Sequence, residues 1–419
     1  RWLILIIIGI LLCCYGMAQV ITSRQMEFLD LAKIAAIFVV GFIFIIYSIV
    51  AIQKRTLEIL VEDTDKRTSN ENSNVKSLIF NKKVYNQGPK VVVIGGGNGL
   101  NSVLRGLKNY TDNITAIVTV SDYGEQKTES RKVLDVLPLD NIKESIVALS
   151  SDEEAMEKLM NFKFDSGKLA DLSFSDMYFL AMQGLYKDFT ESVKQSQKIF
   201  NITGKVLPVT MEEIKICAEL EDGTVIESKN KIPEVINDKT SKISRIFITP
   251  SNCKPAPGVI EAIMEADAIV IGPGSLYTNV IPNLLVKGVA KAIKESKAFK
   301  IYVSNLMTEP GQTDNYSLSE HITAINEHVG KGIIEYCMYD TGEIIPEYVR
   351  RYNMKGSEIV EQDVSKAKVE GVYLIQRKLS HIENGHIRHN PDAIAASIIQ
   401  LICDDLKFNN MENNAQYIM

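Results

Sequence analysis

The sequence predicts an α/β fold: a doubly wound, mostly parallel sheet with a small β insertion, preceded by two transmembrane helices. Three observations lead there. Short β-branched runs alternate with helical patterns from about Lys82 to Leu406. The first of these runs, Val91 to Ile94, ends in three glycines and passes straight into a helical pattern at Leu100, Val103, Leu104 and Leu107. Ahead of this region stand two long apolar stretches of a different composition.

Those stretches come first in the chain. Trp2 to Met17 is unbroken apolar sequence, and Ile34 to Ile52 is another run relieved only by Tyr47 and Ser48. A spanning helix needs about 20 apolar residues, and a core helix would carry a polar face that neither run has. A cleaved signal peptide fits less well, because no small-x-small cleavage site follows and a second apolar run does. The reading is a hairpin over residues 1–53 at the cell membrane. Lys54, Arg55, Lys66 and Arg67 follow the second run, a bias that puts the long C-terminal part in the cytoplasm. Residues 54–88 are charged and rich in Ser and Asn, as in a flexible linker. A single domain is expected over residues 89–407, with a disordered tail at 408–419.

Charge and cysteine usage exclude some classes. The 46 basic and 52 acidic residues leave a net charge of −6. No nucleic acid partner is expected from that balance. The cysteines lack C-x-x-C spacing and the histidines lack a zinc-protease motif, so neither a disulfide framework nor a zinc site is implied.

Within the domain, strands are expected at Val91 onward, Ile114–Val120, Arg245–Thr249, Ala268–Ile271 and Lys300–Val303. Helices are expected at Ser175–Tyr186, Phe189–Phe200, Val259–Glu265 and Val289–Ser296. Such alternation makes parallel sheets covered on both faces. Lys205–Ile226 holds short alternating segments around Glu221-Asp222-Gly223-Thr224, a hairpin signal, and reads as the β insertion.

Ligands of such sheets bind beyond the carboxyl ends of the strands. Four expected strands end in polar or glycine-rich residues. Gly95, Gly96, Gly97, Asn98 and Gly99 close the first, where helix-initial N–H groups suit a phosphate. Ser121 to Gly124 closes the second; Asp122 there either caps a helix or meets ribose hydroxyls or a magnesium ion. Gly272, Gly274 and Ser275 form a turn that is either a bare turn or a second anion nest, followed by Tyr277 and Thr278. Asn305 follows the fifth strand and either ties loop backbone or reads a base or sugar edge. Arg388 precedes Pro391 at a helix start, either solvated or as a fork on a diphosphate.

Five stretches carry a resemblance: VVVIGGGNGLNSVLRGLKNYTDNITAIVTV, GKVLPVTMEEIKICAELEDGTVI, ADAIVIGPGSLYTNVIPNLLV, IYVSNLMTEPGQTDNYSLSEHI and IRHNP. With them the chain resembles the CofD-like family over roughly Lys90 to Leu406. That family joins 2-phospho-L-lactate transferase to the YvcK-type gluconeogenesis factors. The GPGSLYT and NLMTEPGQTD stretches are similar to the YvcK branch, some members of which carry a membrane hairpin. The resemblance implies a Rossmann-like domain that binds a UDP-sugar, of the UDP-GlcNAc or UDP-glucose type, in a membrane-tethered regulator of cell shape and carbon metabolism. It implies no required cofactor, and leaves homo-oligomers and protein partners in envelope synthesis open. The alternative it implies is transfer of a phospholactyl group from a nucleotide diphosphate to an alcohol, with Mg2+ held by Asp122. An interaction scaffold with a defunct site is a third reading. Asn98 stands where the family has Thr, Asp122-Tyr123-Gly124 where it has an acidic Gly/Ser-rich loop, and Leu172 to Asp176 where it has His-Ser-x-Gly-Asn. The last match makes Asp176 a ligand-binding candidate.

Overall fold

The computed structural model describes residues 9–12, 14–15, 17–19, 34, 37–42, 44, 47–48, 88–120, 139–165, 169, 172–233 and 241–416. The chain divides into two units, Arg1–Lys83 and Val84–Met419. In the first unit the described residues are helical. Among the described residues, no helix is long and apolar enough to cross a membrane. Most of the expected hairpin, the linker up to residue 87 and the loop at Ser121 to Gly124 lie outside the described residues.

The second unit is built on a seven-stranded sheet. Strand β1 (Val91–Gly95) is buried on both faces, as its unbroken β-branched run requires. It feeds helix α1 (Gly97–Leu107), whose Leu100, Val103, Leu104 and Leu107 are fully buried. Each such side chain contributes about 1.5–3 kcal/mol through burial. Strand β2 (Ile114–Val118) follows, then helices α2 (Asp140–Leu149), α3 (Glu153–Asn161), α4 (Phe174–Tyr186) and α5 (Phe189–Ile199). Strand β3 (Lys205–Pro208) pairs in parallel with β2 and ends the sheet on that side.

The chain then leaves the sheet. Strands β4 (Lys215–Leu220), β5 (Val225–Ile226) and β6 (Ile243–Thr249) form a separate antiparallel sheet in the order β5-β4-β6. Two expectations are corrected here. Lys205–Pro208 belongs to the main sheet and not to the insertion. Pro208, which has no N–H to donate, is tolerated there because the strand is an edge. The Arg245–Thr249 segment lies in the insertion and not in the parallel sheet; its burial alternates, as suits a strand with one wet face. The hairpin turn at Asp222-Gly223 is present, with the Thr224 N–H donating to the Asp222 carboxylate at 2.8 Å.

Helix α6 (Val259–Glu265) returns the chain to strand β7 (Ala268–Ile271), which pairs with β1 on the side away from β2. A single π-helical turn, Leu276–Val280, precedes the short helix α7 (Ile281–Leu285) and helix α8 (Val289–Glu295). The sheet continues outward through β8 (Phe299–Val303), helix α9 (Leu318–Val329), β9 (Tyr336–Asp340), helices α10 (Pro346–Asn353) and α11 (Val364–Val369), and β10 (Tyr373–Arg377). The strand order is β10-β9-β8-β7-β1-β2-β3, every pairing parallel. Strands β9 and β10 were not expected from the sequence. A two-stranded hairpin, β11 (Ser380–Glu383) with β12 (His386–His389), leads into the last helix, α12 (Pro391–Gln416). The helix therefore continues past residue 407, where the sequence reading ended the domain.

One close approach fixes how α12 lies on α1. A Cβ at Gly106 would stand 2.0 Å from the Pro391 carbonyl oxygen, so only glycine lets α1 meet the start of α12. The topology has a switch point. From β1 the chain winds to β2 and β3 on one side, then jumps back to β7 and winds the other way. Beyond the carboxyl ends of β1 and β7, the two diverging connections leave a crevice, the usual ligand position in open α/β sheets.

Candidate functional site at the carboxyl rim

That crevice is a cleft of about 360 Å³, within the range of small-molecule sites. The start of α1 supplies Asn98, Gly99 and Ser102, and the loop after β7 supplies Pro273 and Gly274. Asn305 to Pro310, from the segment after Val303, line the cleft too. Tyr352 and Lys355, at the end of the helix that follows β9, and Arg388 and His389 of β12 complete its lining. A larger groove, about 1040 Å³, lies at the amino ends of β1, β2 and β3. The cleft at the carboxyl rim is the better candidate because glycine loops, a helix start and two cations converge there.

The two glycine loops are pressed together. A Cβ at Gly99 would stand 2.5 Å from the Pro273 carbonyl oxygen, and one at Gly274 would stand 2.8 Å from the Gly96 carbonyl oxygen. Glycine here serves loop-on-loop packing. Gly97 also takes a left-handed φ of +69°.

Much of the expected anion cradle is already occupied by protein. The Gly97 N–H donates to Asn141 Oδ1 at 3.1 Å, and Asn141 Nδ2 donates to the Thr119 carbonyl at 2.9 Å. Asn283 Nδ2 ties the carbonyls of Gly95 and Asn279, at 3.1 and 2.7 Å. A Cβ at Gly96 would meet the side chains of Asn141 and Asn279, both at 3.0 Å. In the second loop, the Gly272 N–H donates to the Ile94 carbonyl at 2.9 Å. The Gly274 N–H donates to Asn305 Oδ1 at 3.2 Å, and Asn305 Nδ2 returns a bond to the Gly274 carbonyl at 3.0 Å. Asn305 is therefore a clip on loop backbone. That is the blander of its two sequence readings.

What remains open to a ligand is the front of α1. Among the described residues, no hydrogen bond is recorded from the backbone N–H of Asn98 or Gly99. Both sit at the helix start, where four N–H groups lack an intrahelical partner and the helix dipole favours an anion. Arg388 and Lys355 also line the cleft; neither makes an ion pair among the described residues, and Lys355 is exposed while Arg388 is half-buried. Guanidinium, ammonium and helix-initial N–H groups lining one cleft are the donors that an anion would use.

Of the other titratable groups at the cleft, His389 is buried and Glu309 and Tyr352 are half-buried. His389 Nε2 donates to the Ser304 carbonyl at 3.1 Å. Burial brings its pKa down to about 4, so the ring is neutral at physiological pH. Glu309 accepts a hydrogen bond from Ser275 Oγ at 2.8 Å through Oε1, while its Oε2 is buried with no partner. Burial raises its pKa, and the Ser275 bond opposes that only in part.

Of the sequence candidates, the structure brings Asn98, Gly99, Gly274, Asn305 and Arg388 to the cleft wall. Gly95, Gly96, Gly97 and Gly272 stand behind that wall as backbone. Ser275 adjoins it through Glu309. Tyr277 does not face the cleft: its ring is in the core on the other face of the sheet, and its hydroxyl meets that of Tyr316 at 2.8 Å. Thr278 is buried in the π-helical turn. Asp176 is committed to a capping box, its carboxylate accepting from the Ser173 N–H and hydroxyl at 2.9 and 2.8 Å. Asp122, the magnesium candidate, lies outside the described residues. Among the described residues, no group of three or more His, Cys, Asp or Glu could hold a metal. The sequence reading missed Glu309, Tyr352 and Lys355. Glu309 directly follows a polar strand end already singled out, but Tyr352 and Lys355 come from a helix end with no motif.

Glycine loops beyond the parallel strands, at the switch point of the seven-stranded sheet, define a doubly wound, Rossmann-like α/β domain. Residues 91–380 match the family described as 2-phospho-L-lactate transferase CofD, and the chain belongs to the CofD family. Its similarity is to the gluconeogenesis factors of that family, the YvcK type. The gluconeogenesis factor of Bacillus subtilis is 37% identical over 317 residues, 75% of this chain and 99% of its own. A relative of Clostridium acetobutylicum with a gluconeogenesis-factor name is 37% identical over 417 residues, covering 100% of this chain and 92% of its own. A crystal structure of protein BH3568 from Bacillus halodurans superposes with a TM-score of 0.69 at 39% identity, over 74% of this chain and 98% of its own.

Proposed function

We propose that the cleft binds a nucleotide sugar of the UDP-sugar type through its diphosphate and leaves it intact. The protein then acts as a ligand-reporting regulator of carbon metabolism and cell shape. The observation that carries this reading is that Arg388 and Lys355, without an ion pair among the described residues, line the same cleft as Asn98 and Gly99, whose N–H groups have no partner among the described residues. A diphosphate neutralises such a site without a metal ion. The N-terminal apolar runs hold the domain at the cytoplasmic face of the membrane. The similarity to the Clostridium relative extends through those runs. A transferase would need, in addition, a metal or cationic clamp on the transferring group and a positioned acceptor alcohol.

Calorimetry on the full chain with UDP-N-acetylglucosamine and UDP-glucose tests the reading. Saturable binding is expected. Arg388→Ala should weaken it by about 1.5–3 kcal/mol, the worth of hydrogen bonds to a charged group. Chromatography after long incubation with magnesium should recover the nucleotide sugar unchanged. Steady metal-dependent consumption would replace the regulator with the transferase, and unaltered affinity in the Arg388 variant would remove that residue from the site.

A further inference from the structure

Glu309 places a carboxyl group in the lining of the same cleft as Arg388 and Lys355. The charged and titratable groups lining the cleft around it are Lys355 and Tyr352 on the α10 side and Arg388 and His389 from β12. Tyr302 of β8, fully buried, lies close enough to interact electrostatically. No cation pairs with Glu309 among the described residues. The single hydrogen-bond partner of its carboxylate among the described residues is the Ser275 hydroxyl, and the other carboxylate oxygen is buried and unsatisfied. A buried, unpaired carboxylate oxygen is costly, and protonation lowers that cost by removing the charge. An anion in the cleft would add like-charge repulsion to the same group.

We propose that Glu309 makes ligand capture proton-linked: the cleft admits a diphosphate only with the Glu309 carboxyl in its neutral form. The inference rests on the cleft being the diphosphate site. The proton comes from solvent and bonds to a carboxyl oxygen. In the ionised state Ser275 Oγ–H donates to Oε1. In the neutral state the carboxyl O–H donates to Ser275 Oγ, and the serine hydrogen is released from Oε1. No covalent bond of the ligand changes.

The consequence is selective. Binding takes up one proton per site above the carboxyl's own pKa. Affinity then falls as pH rises, by up to about tenfold per pH unit. A nucleotide sugar is a suitable probe because its diphosphate is doubly esterified and has no proton to gain between pH 6 and 8.5. His389 cannot supply the linkage, being already neutral over that range.

The test is calorimetry of UDP-N-acetylglucosamine with the full chain at several pH values and in buffers of different ionisation enthalpy, with folding checked by circular dichroism at each pH. Wild type should show falling affinity and a buffer-dependent enthalpy equal to uptake of about one proton. Glu309→Gln should show neither. Binding by wild type without pH dependence or proton uptake overturns the proposal and leaves the diphosphate site standing. A pH dependence that persists in Glu309→Gln assigns the proton elsewhere and overturns it too. Absence of binding at every pH by folded protein overturns the reading of the cleft, and the proton linkage with it.

Discussion

Gly99→Ala separates the packing of the glycine loops from their backbone freedom. Gly99 sits in the first turn of α1 without a left-handed φ, so alanine suits its backbone. Helix propensity alone would stabilise the variant by up to about 1 kcal/mol. Space decides otherwise. The new Cβ would lie 2.5 Å from the Pro273 carbonyl oxygen and 2.7 Å from its carbon, both backbone atoms that no rotamer change can move. Overpacking of this kind costs about 1–3 kcal/mol, leaving a net loss of up to about 2 kcal/mol, or a fall in Tm of up to roughly 3 °C in a domain of this size. The two loops must part to admit the methyl, so nucleotide-sugar affinity should fall as well. Gly184→Ala is the matched control: Gly184 lies within α4 with nothing within 4 Å of an added Cβ. The same chemical change there should raise Tm slightly. Thermal unfolding of both variants, with calorimetry of the first, makes the comparison. A Gly99→Ala protein as stable as Gly184→Ala, with unaltered affinity, would refute the packing argument.

Further outcomes follow from the same structure. Gly106→Val should prevent stable folding or cost several kcal/mol, because its Cβ would fall 2.0 Å from the Pro391 carbonyl oxygen; expression and urea unfolding read this directly. Acid should destabilise the domain through its buried histidines. Burial lowers the folded-state pKa of His321, His328 and His389, so their stabilisation is fully present above the unfolded value of 6.5. It is lost as pH falls through the folded values. For His389, at about 4 when folded, the loss by pH 4 is on the order of 3 kcal/mol. Urea midpoints between pH 7.5 and 5 should decline, and a flat profile would contradict the assignment. His328 should contribute because its Nε2 accepts from the Ile246 N–H at 2.8 Å, a bond that a protonated ring cannot make. Protease added to intact cells should spare the C-terminal domain, while inverted vesicles expose it; cleavage in intact cells would reverse the proposed topology.

The split between what was legible and what was not follows the range of the interactions. Local patterns were readable. The β-branched run into glycines announced β1, the crevice edge and α1 with its buried leucines. Helices α4, α5, α6 and α8 lie where their periodicity placed them, to within a residue at either end. The polar strand ends after β1, β7 and β8 do share one rim, because those strands are neighbours in the sheet.

Partnerships across tens of residues were not readable. Nothing near Gly97 shows that Asn141, 44 positions away, takes its N–H, or that Asn305 clips Gly274 from 31 positions away. Only those bonds decide which N–H groups a ligand can still reach. Strand membership was also a tertiary matter. Lys205–Pro208 and Ile243–Thr249 are both short apolar segments, and the available edge of the main sheet, not their composition, sorts them. Tyr277 turned to the core because the π-helical turn sets which way its side chain leaves the backbone. By itself the sequence determined the class of fold, the glycine loops and the family, since these rest on contiguous residues with short-range periodicity. The tertiary structure decided which polar groups remain free to bind, because a donor or a charge is free only when no distant part of the chain has satisfied it.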